Sequence, residues 1–173
     1  KVKDDYGVEE ARAEIVPVDS DPTATPLYGL PEYKLEVPRR DRRNGKGLAS
    51  HDLTQDPLAG KRVRITLVAK DGAGQTGRSA PYEMVLPSRN FSQPLAAAVA
   101  EERQVFALDT RKMPEAIELN KSLTIRPEET IPDLGNFLAI KSALSRMKLA
   151  SSEASLKDTA DYLWQIALGM EDA

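Results

Sequence analysis

The amino-acid sequence predicts an α+β protein with two parts: an N-terminal antiparallel β-sandwich of the immunoglobulin-like or fibronectin-like type, followed by three to four helices. Eight of the 12 prolines and eight of the 10 glycines fall in residues 1–90, where they separate short apolar runs. Residues 91–173 are instead rich in Ala, Leu and Glu at helical spacing. We therefore expect a β-sandwich over residues 1–90 and a helical domain over residues 91–173.

Short strands account for the first part. In RVRITLVA, the apolar residues Val63, Ile65 and Leu67 alternate with polar ones, which is the period of a strand with one solvated face. A second sheet must then cover the apolar face. About five or six strands can be assigned, whereas a complete immunoglobulin-type sandwich has about seven, so the sandwich could lack an edge. The clearest strand patterns occupy residues 11–18, 32–38, 62–70 and 82–87.

A glycine-rich segment, DGAGQTGRS, follows the third of these patterns. Gly72, Gly74 and Gly77 have the spacing G-x-G-x-x-G, which is also that of a dinucleotide-binding loop. Such a loop must open a helix, because the helix N-terminus binds the phosphates. Here Pro81 and another strand pattern follow instead. We therefore predict the corner of a β-hairpin, where glycine supplies positive φ angles.

Four segments of the second part have helical spacing. The first has Ser92 as its predicted N-cap and Pro94 in its first turn. The third carries apolar residues that we expect to pack against the other helices or the sandwich, namely Leu134, Phe137, Leu138, Leu144 and Met147. The four segments are SQPLAAAVAEERQVFALD, PEAIELNKSL, PDLGNFLAIKSALSRMKLA and SEASLKDTADYLWQIALGM.

Trp164, in the last helical segment, is a candidate contact residue. On a regular helix it lies on a different face from Leu156 and Leu163. It could mark the packing of the helices against the sandwich, which is the commoner role of such a residue. It could also mark a groove for a partner protein.

The composition excludes several classes of protein. The absence of cysteine excludes disulfides and thiolate metal sites, and the single histidine, His51, argues against a His-rich zinc site or a catalytic triad. A net charge of −3 provides no general attraction for nucleic acid. No apolar run approaches the roughly 20 residues of a membrane span, so we expect these residues to be soluble. We predict no enzymatic activity, no cofactor and no nucleic-acid partner.

Acidic residues of the first part are candidates for a calcium site. Asp4, Asp5 and Asp71 could meet at one end of the sandwich together with Asp19 and Asp21, and calcium prefers clustered carboxylates and turn carbonyls. The same residues are typical of turns and solvated loops. These local roles are our prediction, and a calcium site is the alternative.

The run RRDRRNGKG is the strongest local concentration of charge. Arg39, Arg40, Arg42 and Arg43 could bind phosphate groups of lipid or nucleic acid, because guanidinium groups pair with such anions through two hydrogen bonds. A hairpin tip that protects an exposed sheet edge explains the same run without a ligand. No aromatic residue lies among the arginines, which argues against a stacking platform for single-stranded nucleic acid.

Several segments together resemble a known family. VAKDGAGQTGRSAPYEMVLP resembles the last two strands of bacterial Ig-like sandwiches, and DDYGV lies where such domains place a turn after an early strand. Together with RNFSQPLAAAVAEERQVFALD and LWQIALGMEDA, they make the whole chain resemble part of the Domain of Unknown Function 4175 family. This is an uncharacterised family of membrane-anchored alphaproteobacterial proteins. The resemblance implies membrane helices ahead of this region and no known catalytic residues.

These observations favour a non-enzymatic structural or protein-interaction module of a membrane-anchored cell-envelope protein. A location on the periplasmic side of the bacterial inner membrane follows from the family resemblance. The partner would be an unidentified protein or a component of the cell envelope, contacted through the helical face or a sheet edge. The alternative is an envelope sensor or a carbohydrate- or peptidoglycan-binding module, which exposed aromatic residues would favour.

Overall fold

The structure is a computed structural model that describes residues 7–35 and 53–173. Within these ranges the protein is of mixed α+β class, with an antiparallel sheet of five strands, not closed, followed by C-terminal helices. The predicted fold class is confirmed at this level. The strands in these ranges belong to one sheet, so the covering sheet of a complete sandwich is not found in the described part of the chain.

The sheet consists of β1 (Val8–Pro17), β2 (Glu32–Leu35), β3 (Arg62–Asp71), β4 (Thr76–Arg78) and β5 (Tyr82–Val85). Its centre is the antiparallel pair β1 and β3, in which Ile15 lies opposite Ile65. β2 pairs with the other side of β1. β4 and β5 pair with successive parts of β3, so both lie on the side of β3 that faces away from β1.

Burial along β3 changes face near its midpoint. Val63 and Ile65 are buried, as the alternation predicts. Leu67, which the alternation places on the same face, is 41% exposed, whereas Val68 is buried. The change coincides with a change of neighbour, because β5 ends its pairing at Ile65 and β4 begins at Val68. Between them, Ser79 in the link from β4 to β5 forms two hydrogen bonds to the backbone of Leu67, both 2.9 Å long. The predicted position of Leu67 on the covered face is therefore wrong.

The glycine-rich segment forms the corner of the hairpin between β3 and β4, as predicted. Oδ1 of Asp71 accepts hydrogen bonds from the N–H groups of Ala73 and Gln75 at 2.9 and 2.8 Å. Gly74 has a φ of +85°, a left-handed conformation that glycine adopts without steric cost. A strand rather than a helix follows the turn, so the segment lacks the helix N-terminus that a dinucleotide-binding loop requires.

The C-terminal part contains five α-helices in place of the three to four predicted, and the additional helix is the single turn α3. The helices are α1 (Pro94–Leu108), α2 (Met113–Leu123), α3 (Pro127–Thr130), α4 (Leu134–Leu149) and α5 (Glu153–Asp172), with 3₁₀ turns at Leu53–Gln55 and Thr110–Lys112. α1 packs against α2 and α5, and α4 packs against the same two helices. Phe106, Ile140 and Leu163 are among the fully buried residues of their core. No helix in the described ranges combines the length and apolarity that crossing a membrane requires.

The N-terminus of α1 is stabilised by a residue at the end of α5. Ser92 is not the N-cap that the sequence predicts, because the cap residue is Gln93, whose side chain makes no capping bond. Instead, the Glu171 carboxylate accepts the N–H groups of Ser92 and Gln93, both at 3.0 Å, and the Ser92 hydroxyl at 2.7 Å. A negative charge at this position also complements the helix dipole.

The described chain divides into two compact units whose membership is not continuous in sequence. The helical unit comprises Asn90–Ala173 together with Asp21–Gly29, and the sheet unit contains the other described residues. The segment Asp21–Gly29 lies between β1 and β2 in the chain, within the range expected to form the sandwich. Leu27 in this segment is buried in the helical core, and its N–H donates a hydrogen bond to the carbonyl of Ala107 at 2.9 Å.

Candidate interaction surface

One face of α4 carries exposed leucines. Leu134, Leu138 and Leu149 are 70%, 57% and 79% exposed. Because successive helical residues turn by about 100°, these leucines fall together with Lys141 and Lys148 in one arc of about 100°. We call these residues the α4 stripe. Apolar residues grouped on a face that points away from their own core are typical of a protein-binding surface.

The opposite face of α4 fixes the helix within its unit. Ile140, Ala143 and Met147 are almost completely buried in the helical core. At the start of the helix, the Asp133 side chain accepts a hydrogen bond from the N–H of Asn136 at 2.9 Å and so acts as the N-cap. The α4 stripe is therefore presented on a well-anchored support.

The structure corrects the assignment of Leu134 and Leu138 to the packed face. Leu144 and Met147 are buried as predicted, whereas Leu134 and Leu138 are exposed. On a regular helix the two exposed leucines lie about 80° to 180° away from the two buried residues. A helical-wheel projection of residues 134–149 could have separated the two groups, because all the necessary information is in the spacing.

The charges of the α4 stripe have one sign. The ion pairs in the described part of the helical unit involve other residues, so neither Lys141 nor Lys148 is paired within that part. The stripe therefore combines three exposed leucines with two positive charges. This combination favours a partner surface that offers apolar and acidic side chains.

The neighbouring helix α2 has an outward face of the opposite charge. Glu115 and Glu118 are exposed there beside Leu119, and Ile125 follows just beyond the end of the helix with 74% of its surface exposed. Glu118 also forms a long ion pair with Lys121, at 3.6 Å. The outward face of α2 therefore carries apolar and acidic side chains. It belongs to the same unit as the α4 stripe, since α2 and α4 pack together.

A carboxylic acid and an amide are buried together in the helical core. Neither Glu102 nor Asn120 exposes any surface. The amide nitrogen of Asn120 donates hydrogen bonds to Oε1 of Glu102 at 3.1 Å and to the carbonyl of Ile140 at 3.3 Å. Burial raises the pKa of Glu102 to about 8, so its carboxyl group is mainly protonated at neutral pH. The pair connects α1, α2 and α4.

Trp164 lies inside the helical unit. Its side chain is 8% exposed, the ring of Phe91 stands nearly perpendicular to it at a centroid distance of 5.7 Å, and the guanidinium of Arg103 lies 4.6 Å from its centroid. Such edge-to-face and cation–π contacts favour a fixed orientation of the indole. The ring is thus covered by residues of its own unit.

A charged network fastens the segment Asp21–Gly29 to the helices. The buried carboxylate of Asp109 accepts a hydrogen bond from the N–H of Thr25 at 3.3 Å and pairs with Arg111 at 2.7 Å. Arg111 also reaches Asp21 at 3.1 Å. The hydrogen bond from the Arg111 guanidinium holds the pKa of Asp109 well below its usual range. Asp109 is therefore ionised at neutral pH and stabilises the attachment of the segment.

Most of the site residues predicted from the sequence lie away from the α4 stripe or outside the described residues. Asp71 is buried, and its carboxylate holds the hairpin turn. No three His, Asp or Glu residues in the described ranges are grouped so that they could hold a metal ion. The predicted residues outside these ranges are Asp4, Asp5, Arg39, Arg40, Arg42, Arg43 and His51.

Comparison with known proteins gives a family but no function. A family model described as "Domain of unknown function (DUF4175)" matches residues 1–173, which is the whole chain. No curated protein and no solved structure matches the chain. A function must therefore be inferred from the residues and their arrangement.

Proposed function

The chain belongs to the family described as a domain of unknown function (DUF4175), and from this premise we propose that it is a non-enzymatic structural and protein-interaction module. We further propose that the module is part of a membrane-anchored cell-envelope protein and is displayed on the periplasmic side of the inner membrane. This location is what the family resemblance implies. The interaction is made through the α4 stripe.

The observation that carries this proposal is the exposure of Leu134, Leu138 and Leu149 on one face of α4. Burying one leucine side chain contributes about 1.5–3 kcal/mol of favourable free energy. A folded unit with a well-packed core has no structural need for these residues on its outer face. Covering them with a partner supplies that free energy to binding.

The way in which the module works is presentation of a rigid surface. The core residues of α4 and the cap at Asp133 hold the helix in place, so little conformational entropy is lost when a partner binds the stripe. Lys141 and Lys148 flank the leucines and select partners that carry negative charge. No bond is made or broken in this role.

Site-specific cross-linking in living cells tests the proposal. A photo-reactive amino acid replaces Leu138 in the full-length protein in its native envelope, and a matched variant carries it at Glu101, an exposed position on α1. We expect a discrete cross-linked product from position 138 and none of the same mass from position 101. Absence of any product from position 138, and from a second probe at Leu134, contradicts the proposal.

A further inference from the structure

The outward faces of α2 and α4 are complementary to each other. The α4 stripe offers leucines with Lys141 and Lys148, while the face of α2 offers Leu119 with Glu115 and Glu118. Both faces point away from the core of the same unit, so they cannot cover each other within one molecule. They can do so only between two molecules.

We propose that the partner of the α4 stripe is a second copy of this chain, with α4 of each copy packed against α2 of the other copy. This inference rests on the proposed function, because it names the partner of the same surface. In this arrangement Leu138 meets Leu119 of the second copy, and the lysines of α4 meet the glutamates of α2. Every ion pair occurs twice in the dimer.

The positions of α2 and α4 suit a contact with two-fold symmetry. The two helices are neighbours, since the Asn120 amide on α2 donates a hydrogen bond to the carbonyl of Ile140 on α4 at 3.3 Å. Both complementary faces therefore lie on adjacent helices of one unit, as a closed, self-complementary dimer requires. Association stops at two copies, because both faces of each copy are then covered.

The length of the helices limits the area that the two copies can bury. At about 1.5 Å per residue, α4 is about 24 Å long and α2 about 16 Å long. Two faces of this size bury roughly 400 Å² on each copy, about half the area in a typical stable complex. We therefore expect a weak dimer with a dissociation constant of about 10–100 µM, which forms when copies are concentrated locally.

An anionic lipid surface suits the α4 stripe less well than a second copy does. Glu128 and Glu129 on α3 are exposed, and Asp133 lies immediately before Leu134. These carboxylates all lie within the six residues that precede Leu134 in the chain, so a negatively charged surface would be repelled near the start of α4. The acidic side chains of α2 instead match a surface that carries lysines, which the α4 stripe of a second copy provides.

Sedimentation velocity of the 173-residue chain over about 10–1000 µM tests the inference. The variants are Lys141→Glu, Glu118→Lys, the combination of both, and Lys70→Glu on β3 as a matched control. Circular dichroism confirms that each variant is folded. We expect each single reversal on the helices to weaken the dimer about tenfold, because exposed ion pairs contribute about 0.2–1 kcal/mol each and each pair occurs twice.

The combined variant tests whether Lys141 and Glu118 of different copies pair in the dimer. Restoration of the dimer by Lys141→Glu together with Glu118→Lys supports the proposed pairing, since the reversed charges attract again. A chain that stays monomeric at about 1 mM, or a dimer that none of these reversals weakens, overturns it. Binding to anionic vesicles that is lost in Lys141→Glu, without dimer formation, also overturns it in favour of lipid. If the chain is monomeric but position 138 cross-links to a different protein in cells, this inference fails while the proposed function stands.

Discussion

The side-chain amide of Asn120 donates a hydrogen bond to the carboxyl group of Glu102 at 3.1 Å, and neither residue exposes any surface. Within the described part of the chain, Oε2 of Glu102 and Oδ1 of Asn120 have no hydrogen-bond donor. A carboxylate would therefore be buried with one oxygen lacking a donor, and a neutral acid avoids burying that charge, which agrees with the raised pKa of this group. The pair is therefore better suited to a neutral acid than to a carboxylate.

We expect replacement of Glu102 by Gln to remove a pH dependence of stability. Burial raises the pKa of Glu102 from the usual 4.5 to about 8, so the native state binds more protons than the unfolded state between these values. Stability from this group is fully present below about pH 4.5 and is lost as the pH rises to about 8. At pH 9 the free energy of unfolding of Glu102→Gln should exceed that of the wild type by a few kcal/mol.

Urea unfolding of Glu102→Gln and the wild type at several pH values measures this difference. Glu115→Gln, at an exposed position on α2, is the control and should keep the slope of the wild type. Equal pH slopes for Glu102→Gln and the wild type between pH 5 and 8 would show that the Glu102 carboxyl does not titrate in this range.

Replacement of Asp109 by Asn should loosen the segment Asp21–Gly29. The pKa of Asp109 is held low in the native state, chiefly by the hydrogen bond from Arg111, so its contribution to stability is present above the usual aspartate pKa. That contribution is lost as the pH falls below this value. Thermal melting at pH 7 should show a midpoint several degrees lower for Asp109→Asn, and the difference should shrink in acid.

Asp21→Asn is the matched comparison for Asp109→Asn, because Asp21 is the other carboxylate bound by Arg111. Asp21 is exposed, so its ion pair is screened by water and its loss should cost less. If both variants melt at the same temperature at pH 7, the burial of Asp109 adds nothing to this network.

Replacement of Glu171 by Gln should weaken the N-terminus of α1. The Glu171 carboxylate accepts hydrogen bonds from both Ser92 and Gln93, and a neutral amide loses the charge as well as part of this geometry. The free energy of unfolding should fall by about 1 kcal/mol, as for other lost caps. Ser92→Ala removes only the hydroxyl contact and should cost less, and the reverse order in urea titrations would contradict this account.

Two glycines of the β3–β4 hairpin allow a test of backbone conformation alone. A Cβ atom added at Gly74 or at Gly77 would meet no atom within 4 Å, but Gly74 has a φ of +85°. Gly74→Ala should therefore lower the free energy of unfolding by about 1 kcal/mol, whereas Gly77→Ala should be close to neutral. If thermal melts show equal losses of stability for the two variants, the left-handed conformation at Gly74 does not account for the effect.

The hairpin and the buried residues of β3 were accessible from the sequence because their signals are local. Glycine spacing followed by Pro81 identified the turn, and alternation identified Val63 and Ile65 as buried. The cap provided by Glu171 was not accessible, because its partners lie 78 and 79 residues away in the chain. Local patterns carry no information about which distant side chain completes a helix end.

The exposed leucines of the candidate site were only partly predictable from the sequence. The spacing in the sequence places Leu134 and Leu138 on a different face of the helix from Leu144. Hydrophobic character alone, however, assigns all three leucines to the core. Glu102 is the converse case, since a charged residue type gives no local sign of full burial. Whether such a residue is inside depends on which helices pack around it.

The placement of Asp21–Gly29 bears on how the polypeptide acquires its structure during synthesis. This segment leaves the ribosome long before Asn90–Ala173, yet it belongs to the same compact unit. Leu27 must therefore wait for the helices before its side chain is covered, while the strands on either side of it are already available for pairing. Docking of this segment therefore follows translation of the helices that cover it.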